Sequence, residues 1–230
     1  MQNKIVTKEE WVEARKQFLI KEKEFNKLRD ELTKKRQQLP WTKVDKEYIF
    51  ETDKGQQNFA DLFAGKTQLI VYHFMFGPSW KQGCKNCSFV ADHYEKSIIH
   101  LQQQDISFVT ISRAPLQILG DFKKRMGWSF KWVSSLGNDF NFDYDVSFTK
   151  EDMKNQVYYN YQKTTFPAEE GPGVSVFYKN TDGNIYHTYS SYSRGLDLLI
   201  GAYNYLDIVP KGRNEEGPMS WVRHHDRYKE

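Results

Sequence analysis

The chain is short of cysteine, of net charge and of long apolar runs. Its 230 residues hold two cysteines, which supply two ligands where a structural zinc site wants four from Cys and His. Thirty-three basic residues stand against 30 acidic ones, a net charge of +3, too small to argue for nucleic acid. The two signs are interleaved, most clearly over residues 8–35, as on a solvated helix face. No apolar stretch approaches the ~18 residues of a membrane span, and residues 1–7 lack the apolar core of a signal peptide. The expectation is a cytoplasmic protein that engages neither nucleic acid nor membrane. There is no internal repeat and no low-complexity segment.

What the chain does have is aromatic residues and one well-placed cysteine pair. Hydrophobic residues make up 39% and aromatics 16%, enough for a sizeable core rich in Tyr and Phe. The cysteines stand three apart in Gly83-Cys84-Lys85-Asn86-Cys87-Ser88. Residues 69–76 read as a buried strand and 88–101 as a helix, so the pair sits at a strand-to-helix turn. A helix start offers unpaired N–H groups and partial positive charge, which favour a thiolate at the first cysteine. The second lies within disulfide reach. Three readings stand: a redox couple, two inert buried thiols, or a mixed metal site with His93, or with His224 and His225 near the C-terminus.

The rest of the chain orders itself around that turn. Thr7-Lys8-Glu9-Glu10 has the form of a capping box, and Pro40 ends a long polar segment. Within it Trp11, Phe18, Phe25 and Leu32 recur every seven residues, a narrow apolar stripe that either docks on its own domain or forms the seam of a homodimer. Strands are expected at 46–52, 69–76, 106–112 and 130–134, with a short helical segment at 58–63 and a helix at 116–126. The alternation predicts an α/β sheet with parallel crossovers. Residues 138–167 show no period and read as a long irregular insertion. Residues 174–178 and 184–189 flank Asn180-Thr181-Asp182-Gly183, a hairpin signal. A helix at 196–206 closes the domain, and a tail runs from 209. The division expected is a helical arm at 1–40, a domain at 41–208 and a tail at 209–230.

With the cysteine pair after a buried strand of an α/β run, and a Pro-led hairpin and helix at the end, this order resembles the thioredoxin-like superfamily. The front end, from Tyr48-Ile49-Phe50 through Phe59-Ala60-Asp61-Leu62-Phe63, is similar to its peroxiredoxin and thiol-reductase branches. More narrowly, Leu39-Pro40-Trp41, His73-Phe74-Met75-Phe76-Gly77-Pro78, the cysteine block, Ser112-Arg113-Ala114-Pro115, Arg125-Met126-Gly127-Trp128 and Gly201-Ala202-Tyr203-Asn204-Tyr205-Leu206-Asp207 resemble a bacterial family, domain-of-unknown-function family 899. The resemblance implies a thioredoxin-like central mixed sheet flanked by helices, here with an N-terminal amphipathic arm. It implies a thiol–disulfide oxidoreductase with no cofactor beyond its cysteines, acting on a disulfide-bearing protein or a small thiol. Pro172 would be the superfamily's cis-proline. Six residues, Gly77-Pro78-Ser79-Trp80-Lys81-Gln82, intervene between strand and cysteine block. The residues before Cys84 lack the Pro-x-x-x-Thr/Ser-x-x-Cys pattern of a peroxidatic cysteine, so peroxidase activity is the weaker branch.

Cys84, nearer the helix start, is the candidate nucleophile and Cys87 the resolving thiol. His73 is either a proton shuttle for Cys87 or a hydrogen-bonded core histidine. Arg113, at the carboxyl end of a strand, is either an anion-stabilising group or half of an ion pair. Trp80 is a candidate wall of the thiol pocket. Trp221, Arg223, His224, His225 and Asp226 form a group that either folds back on the site, caps a subunit contact or stays solvated. The readings of a different class are a copper- or zinc-binding protein using Cys84, Cys87 and His93, and a non-enzymatic dimeric scaffold.

Overall fold

A computed structural model of the chain describes residues 3–229, which fall into two compact units divided between Pro40 and Trp41. The first is one helix, α1 (Lys8–Gln37). The capping box forms as written: the Glu10 N–H donates to Thr7 Oγ1 at 3.2 Å, and the Thr7 N–H to Glu10 Oε2 at 3.0 Å. Glu9 and Glu10 occupy its first turn and Lys34, Lys35 and Arg36 its last, each favourable to the helix dipole. None of its residues is buried, and Trp11, Phe18, Phe25 and Leu32 are all exposed.

The second unit opens with β1 (Thr42–Lys43), β2 (Ile49–Thr52), β3 (Gly55–Asn58) and a 3-10 turn at Ala60–Phe63. Next come β4 (Gln68–His73), α2 (Lys85–Tyr94), α3 (Ile98–Leu101), β5 (Ile106–Ser112), α4 (Leu116–Arg125) and β6 (Trp132–Ser134). They are followed by α5 (Phe140–Asp143), α6 (Lys150–Lys154), β7 (Val157–Tyr159), β8 (Gln162–Thr164), β9 (Gly173–Lys179), β10 (Ile185–Tyr192) and α7 (Gly201–Leu206). Eight strands make one mixed sheet in the order β1-β10-β9-β4-β5-β6-β2-β3. β4, β5 and β6 run parallel through helical crossovers, as the alternation predicts, and β9 joins β4 antiparallel. The fold is thioredoxin-like: a central mixed sheet flanked by helices.

Strand alternation divides the core into two layers. Leu69 and Val71 of β4 pack with Phe50, Val109, Phe140 and Phe177 on one face. Tyr72 points to the other, with Phe74, Cys87, Tyr94, Trp132 and Tyr203.

Several boundaries differ from expectation. β4 stops at His73, and the helix after it starts at Lys85 and breaks between Tyr94 and Ile98. The expected helix at 196–206 is a 3-10 segment, Ser193–Leu199, then α7, because Ile200 is extended between them. The insertion is more ordered than its lack of period implied. Thr149 caps α6 with its own capping box, and Asn160 and Tyr161 both take positive φ, 53° and 63°, closing β7 and β8 into a tight hairpin. Without a Gly in that turn, the sequence carried no hairpin signal. Val146, Phe148, Val157, Tyr159 and Tyr192 give this region a small core of its own.

Candidate active site

The six residues between β4 and the cysteine block do not carry the thiols away from the strand. The Cys84 N–H donates to the Met75 carbonyl at 3.1 Å and the Met75 N–H reaches Cys87 Sγ at 3.5 Å, so residues 77–82 are an excursion closed at its base. Gly83 is required there by packing: a Cβ would come within 2.6 Å of Phe74 Cε1 and 3.0 Å of Phe122 Cε1, both in buried rings. Its carbonyl is held from the far end of the chain, by His224 Nε2 donating at 2.9 Å.

Cys84 is the N-cap of α2 and Cys87 lies in its first turn. Both are free thiols; Cys84 is partly exposed and Cys87 buried, 1% accessible. Their pKa values are driven apart. Cys84 is brought down to about 7, first by the hydrogen bond from the Cys87 thiol, then by the N–H groups of Cys87 and Asn86 and the charge of Lys85, all against the opposing pull of burial. Cys87 is pushed up, mostly by burial and then by donating to and lying beside Cys84, with the Met75 N–H and the Tyr72 hydroxyl pulling the other way. One thiol is thus set to ionise near neutrality while its neighbour keeps the proton.

Both thiols line a cavity of about 890 Å³, within the size range of small-molecule sites. Tyr72, Met75, Val90, Pro172, Leu196 and Met219 make its walls apolar, and Arg194, Asp197, Asp207, Arg213, Glu215 and Glu216 give it polar lining. Arg213 is fully engaged: it forks onto Asp207 with two 2.8 Å bonds, reaches Asp197 at 3.0 Å and lies 3.7 Å over the Tyr203 ring. Arg194 leans on Asp197, whereas Glu216 has no ion-pair partner among the described residues. Two buried polar atoms of lining residues close no well-formed hydrogen bond, Asn86 Oδ1 and the Tyr72 hydroxyl, the latter near the Cys87 thiol.

The remaining candidates divide. Pro172 lines the cavity, but its peptide is trans, as are all those described, so the cis-proline expectation is corrected. Trans is the ordinary preference of an X–Pro bond, and here the Pro172 carbonyl is held by the Tyr159 hydroxyl at 2.7 Å. His73 is a core histidine and no shuttle. It follows Tyr72 on β4, so it points to the opposite face, where Nε2 meets Ser175 Oγ at 2.9 Å and the ring stacks on Phe140 and Tyr144. Burial brings its pKa down to about 3, so it is neutral.

Arg113 and Trp80 do not line the cavity. Arg113 pairs with buried Glu170 at 3.0 Å and lies 4.3 Å over the Phe142 ring, while Trp80 Nε1 donates to Glu169 Oε1 at 2.9 Å. Glu170 also accepts from Ser147 Oγ at 2.6 Å, yet burial outweighs both partners and pushes its pKa up to about 7. The metal reading loses its third ligand. His93 Nδ1 donates to the Phe89 carbonyl at 2.6 Å and Nε2 accepts from the Ala202 N–H at 3.0 Å, leaving no free nitrogen. No cluster of three or more His, Cys, Asp or Glu suited to a metal occurs among the described residues.

The C-terminal group does fold back on the thiol turn. Besides His224 on Gly83, His225 Nδ1 meets Asp92 Oδ1 at 2.7 Å, Asp226 takes a forked pair of bonds from Arg125, and Trp221 packs on Phe89. Tyr72 is a cavity residue to which motif spacing does not point. The signal available was strand alternation, which says that either Tyr72 or His73 faces the cysteines and not both.

Fold and site together define a thioredoxin-like protein with a cysteine pair at the start of a helix. The chain belongs to the family described as bacterial protein of unknown function, DUF899, whose profile matches residues 1–228. No curated protein matches it. Among solved structures it is similar to peroxidoxin BcpB from Mycobacterium tuberculosis, at 11% identity and TM-score 0.47, over 70% of this chain and 94% of that one. It is also similar to a peroxiredoxin Q mutant from Xanthomonas campestris (10%, TM-score 0.44, 68% and 90% covered) and to the mitochondrial 2-Cys peroxiredoxin from Plasmodium falciparum (10%, 0.43, 77% and 96%). No helix among the described residues is long and apolar enough to cross a membrane.

Proposed function

We propose that the protein is a thiol–disulfide oxidoreductase in which Cys84 attacks a substrate disulfide and Cys87 resolves the product. The observation that carries this reading is the pair of free thiols lining one cavity, Cys84 partly exposed at the N-cap of α2 and Cys87 buried one turn on, an arrangement that brings Cys84 down to about 7 and pushes Cys87 up. Attack by the Cys84 thiolate joins its sulfur to one half of the substrate and expels the other half as thiolate, which takes the Cys87 proton. Cys87 then attacks Cys84 Sγ, forms the Cys84–Cys87 disulfide and releases the second half. The protein is oxidised by two electrons and the substrate disulfide reduced; an external dithiol restores the pair.

The cavity favours a low-molecular-weight disulfide, or one side chain of a larger one, with an apolar body. Its arginines are occupied by aspartates and Glu216 is left unpaired, so cationic or neutral disulfides are preferred over anionic ones.

The test is the Cys87→Ser variant. It should trap substrate on Cys84 as a mixed disulfide, and Cys84→Ser should trap nothing. Rapid stoichiometric sulfenic acid at Cys84 of Cys87→Ser on peroxide addition, with no mixed disulfide formed from added disulfides, would make the protein a peroxidase instead.

A further inference from the structure

Tyr72 is among the most deeply buried large side chains of the chain, 1% accessible. Buried tyrosines nearly always bond their hydroxyl. Neighbouring tyrosines conform: Tyr94 meets Thr110 Oγ1 at 2.8 Å, and Tyr159 and Tyr192 reach backbone carbonyls. The Tyr72 hydroxyl does not. It faces the cavity that holds Cys84 and Cys87 without closing a well-formed hydrogen bond in the dithiol. Leaving such a donor unpaired costs free energy, so a group able to accept from it in another state of the site is the natural account.

The position identifies that group. Tyr72 is the last residue of β4 to point to the thiol face, and its ring lies against Phe74 and Tyr94 at 6.2 and 5.2 Å, which fixes its orientation. Cys87 Sγ already has one donor aimed at it, the Met75 N–H at 3.5 Å. We infer that the Tyr72 hydroxyl is the second, and that together they hold the Cys87 thiolate during resolution.

This rests on the oxidoreductase reading above. In the dithiol, Cys87 keeps its proton and gives its hydrogen bond to Cys84, so a thiol sulfur offers Tyr72 a poor acceptor. Once Cys84 is locked in the mixed disulfide and the first leaving thiolate has taken the Cys87 proton, Cys87 is a buried anion, and the tyrosine donor becomes its partner. Tyr72 lends a hydrogen bond and keeps its proton throughout. Burial first, and then the charge of Cys87, pushes its own pKa well above the ordinary value. The chemistry of attack and release is unchanged; what Tyr72 alters is how readily the resolving thiolate forms.

Dithiodipyridine, a neutral disulfide, separates the two steps because each releases one coloured thiopyridone. In the full-length reduced protein, Tyr72→Phe should leave the first release within about twofold of wild type. The second should slow roughly tenfold or more, as expected for a lost hydrogen bond to an anion, with its pH midpoint displaced upward. The thermal midpoint should change little, since the hydroxyl closes no well-formed hydrogen bond in the dithiol. A merely structural tyrosine gives the reverse, lost stability with both releases altered together. An unchanged second release in a folded Tyr72→Phe protein overturns the inference. A wild type that makes no mixed disulfide at all defeats the oxidoreductase reading instead. In that event the Cys84→Ser background still decides Tyr72, through the pH dependence of Cys87 alkylation: Tyr72→Phe should raise its midpoint, and an identical midpoint rules the hydroxyl out.

Discussion

Tyr72 and His73 are neighbours in the chain, lie on the same central strand, and are equally buried. Each leaves one polar atom without a partner, the Tyr72 hydroxyl and His73 Nδ1. Their surroundings differ completely. Tyr72 faces a cavity with two thiols in it. His73 stacks against the adjoining Phe140 and Tyr144 rings and belongs to a line of hydrogen bonds, His73–Ser175–Ser190–His187, with links of 2.9, 2.8 and 2.7 Å across β4, β9 and β10. A buried orphan atom therefore points to chemistry only where space and a reactive partner lie in front of it; elsewhere it belongs to packing. Histidine, the better proton carrier by pKa, sits on the wrong side of the sheet, and the face with the thiols is served by a residue that stays protonated.

The largest effect that sharpens this contrast is between the thiols themselves. With Cys84 near 7 and Cys87 above its ordinary value, iodoacetamide at pH 7 should label Cys84 roughly a hundredfold faster than Cys87. The Cys84 rate should climb through a midpoint near pH 7, and mass spectrometry of the two peptides reads both. Equal rates would remove the asymmetry on which the thiol face is built.

Next comes His73→Ala. Losing a buried ring and the bond to Ser175 should cost roughly 2–4 kcal/mol in urea unfolding at pH 7, while the Cys84 labelling midpoint stays where it was. The cost should shrink on acidification. The folded-state pKa of His73 is depressed to about 3, so below its unfolded value near 6.5 the unfolded chain takes up a proton that the native state refuses, and wild type loses stability there. A variant that moved the Cys84 midpoint would join the two faces that the geometry keeps apart.

A smaller effect, outside the cavity lining, belongs to Glu170. Its folded-state pKa, raised from 4.5 to about 7, makes ionisation costlier in the native state, so its contribution to stability is fully present below about 4.5 and is lost as pH rises through 7. The span is at most roughly 3 kcal/mol. Glu170→Gln keeps the shape and should remove that decline between pH 5 and 7. An unaltered pH profile would mean that Arg113 holds the carboxylate ionised throughout.

Local chemistry makes some of this legible and silent on the rest. Thr7-x-x-Glu10 and Thr149-x-x-Asp152 each close a capping box, but only the first stands out in the sequence, because the second lies in a stretch without hydrophobic period. Asn180–Gly183 marked the β9–β10 hairpin, whereas Asn160-Tyr161 turns just as tightly without a glycine to announce it. The cysteine pair at a strand-to-helix turn was visible because spacing and flanking pattern are local properties. So was the greater exposure to the helix start of Cys84 over Cys87.

Interactions spanning a few residues set the α/β order, the capped first helix and the position of two thiols at a helix N-terminus, and all of these can be read from the chain alone. Which of Tyr72 and His73 meets those thiols is set by how the sheet packs, since a strand inverts its faces with every residue and a one-residue change of register exchanges them. Tertiary packing also decides that Arg113 is spent on Glu170, that His93 has no nitrogen left for a metal, that Pro172 is trans, and that His224, 141 residues beyond Gly83, secures the peptide before the nucleophile. Each of these depends on a partner brought from a distant part of the chain, and spacing in sequence carries no record of it.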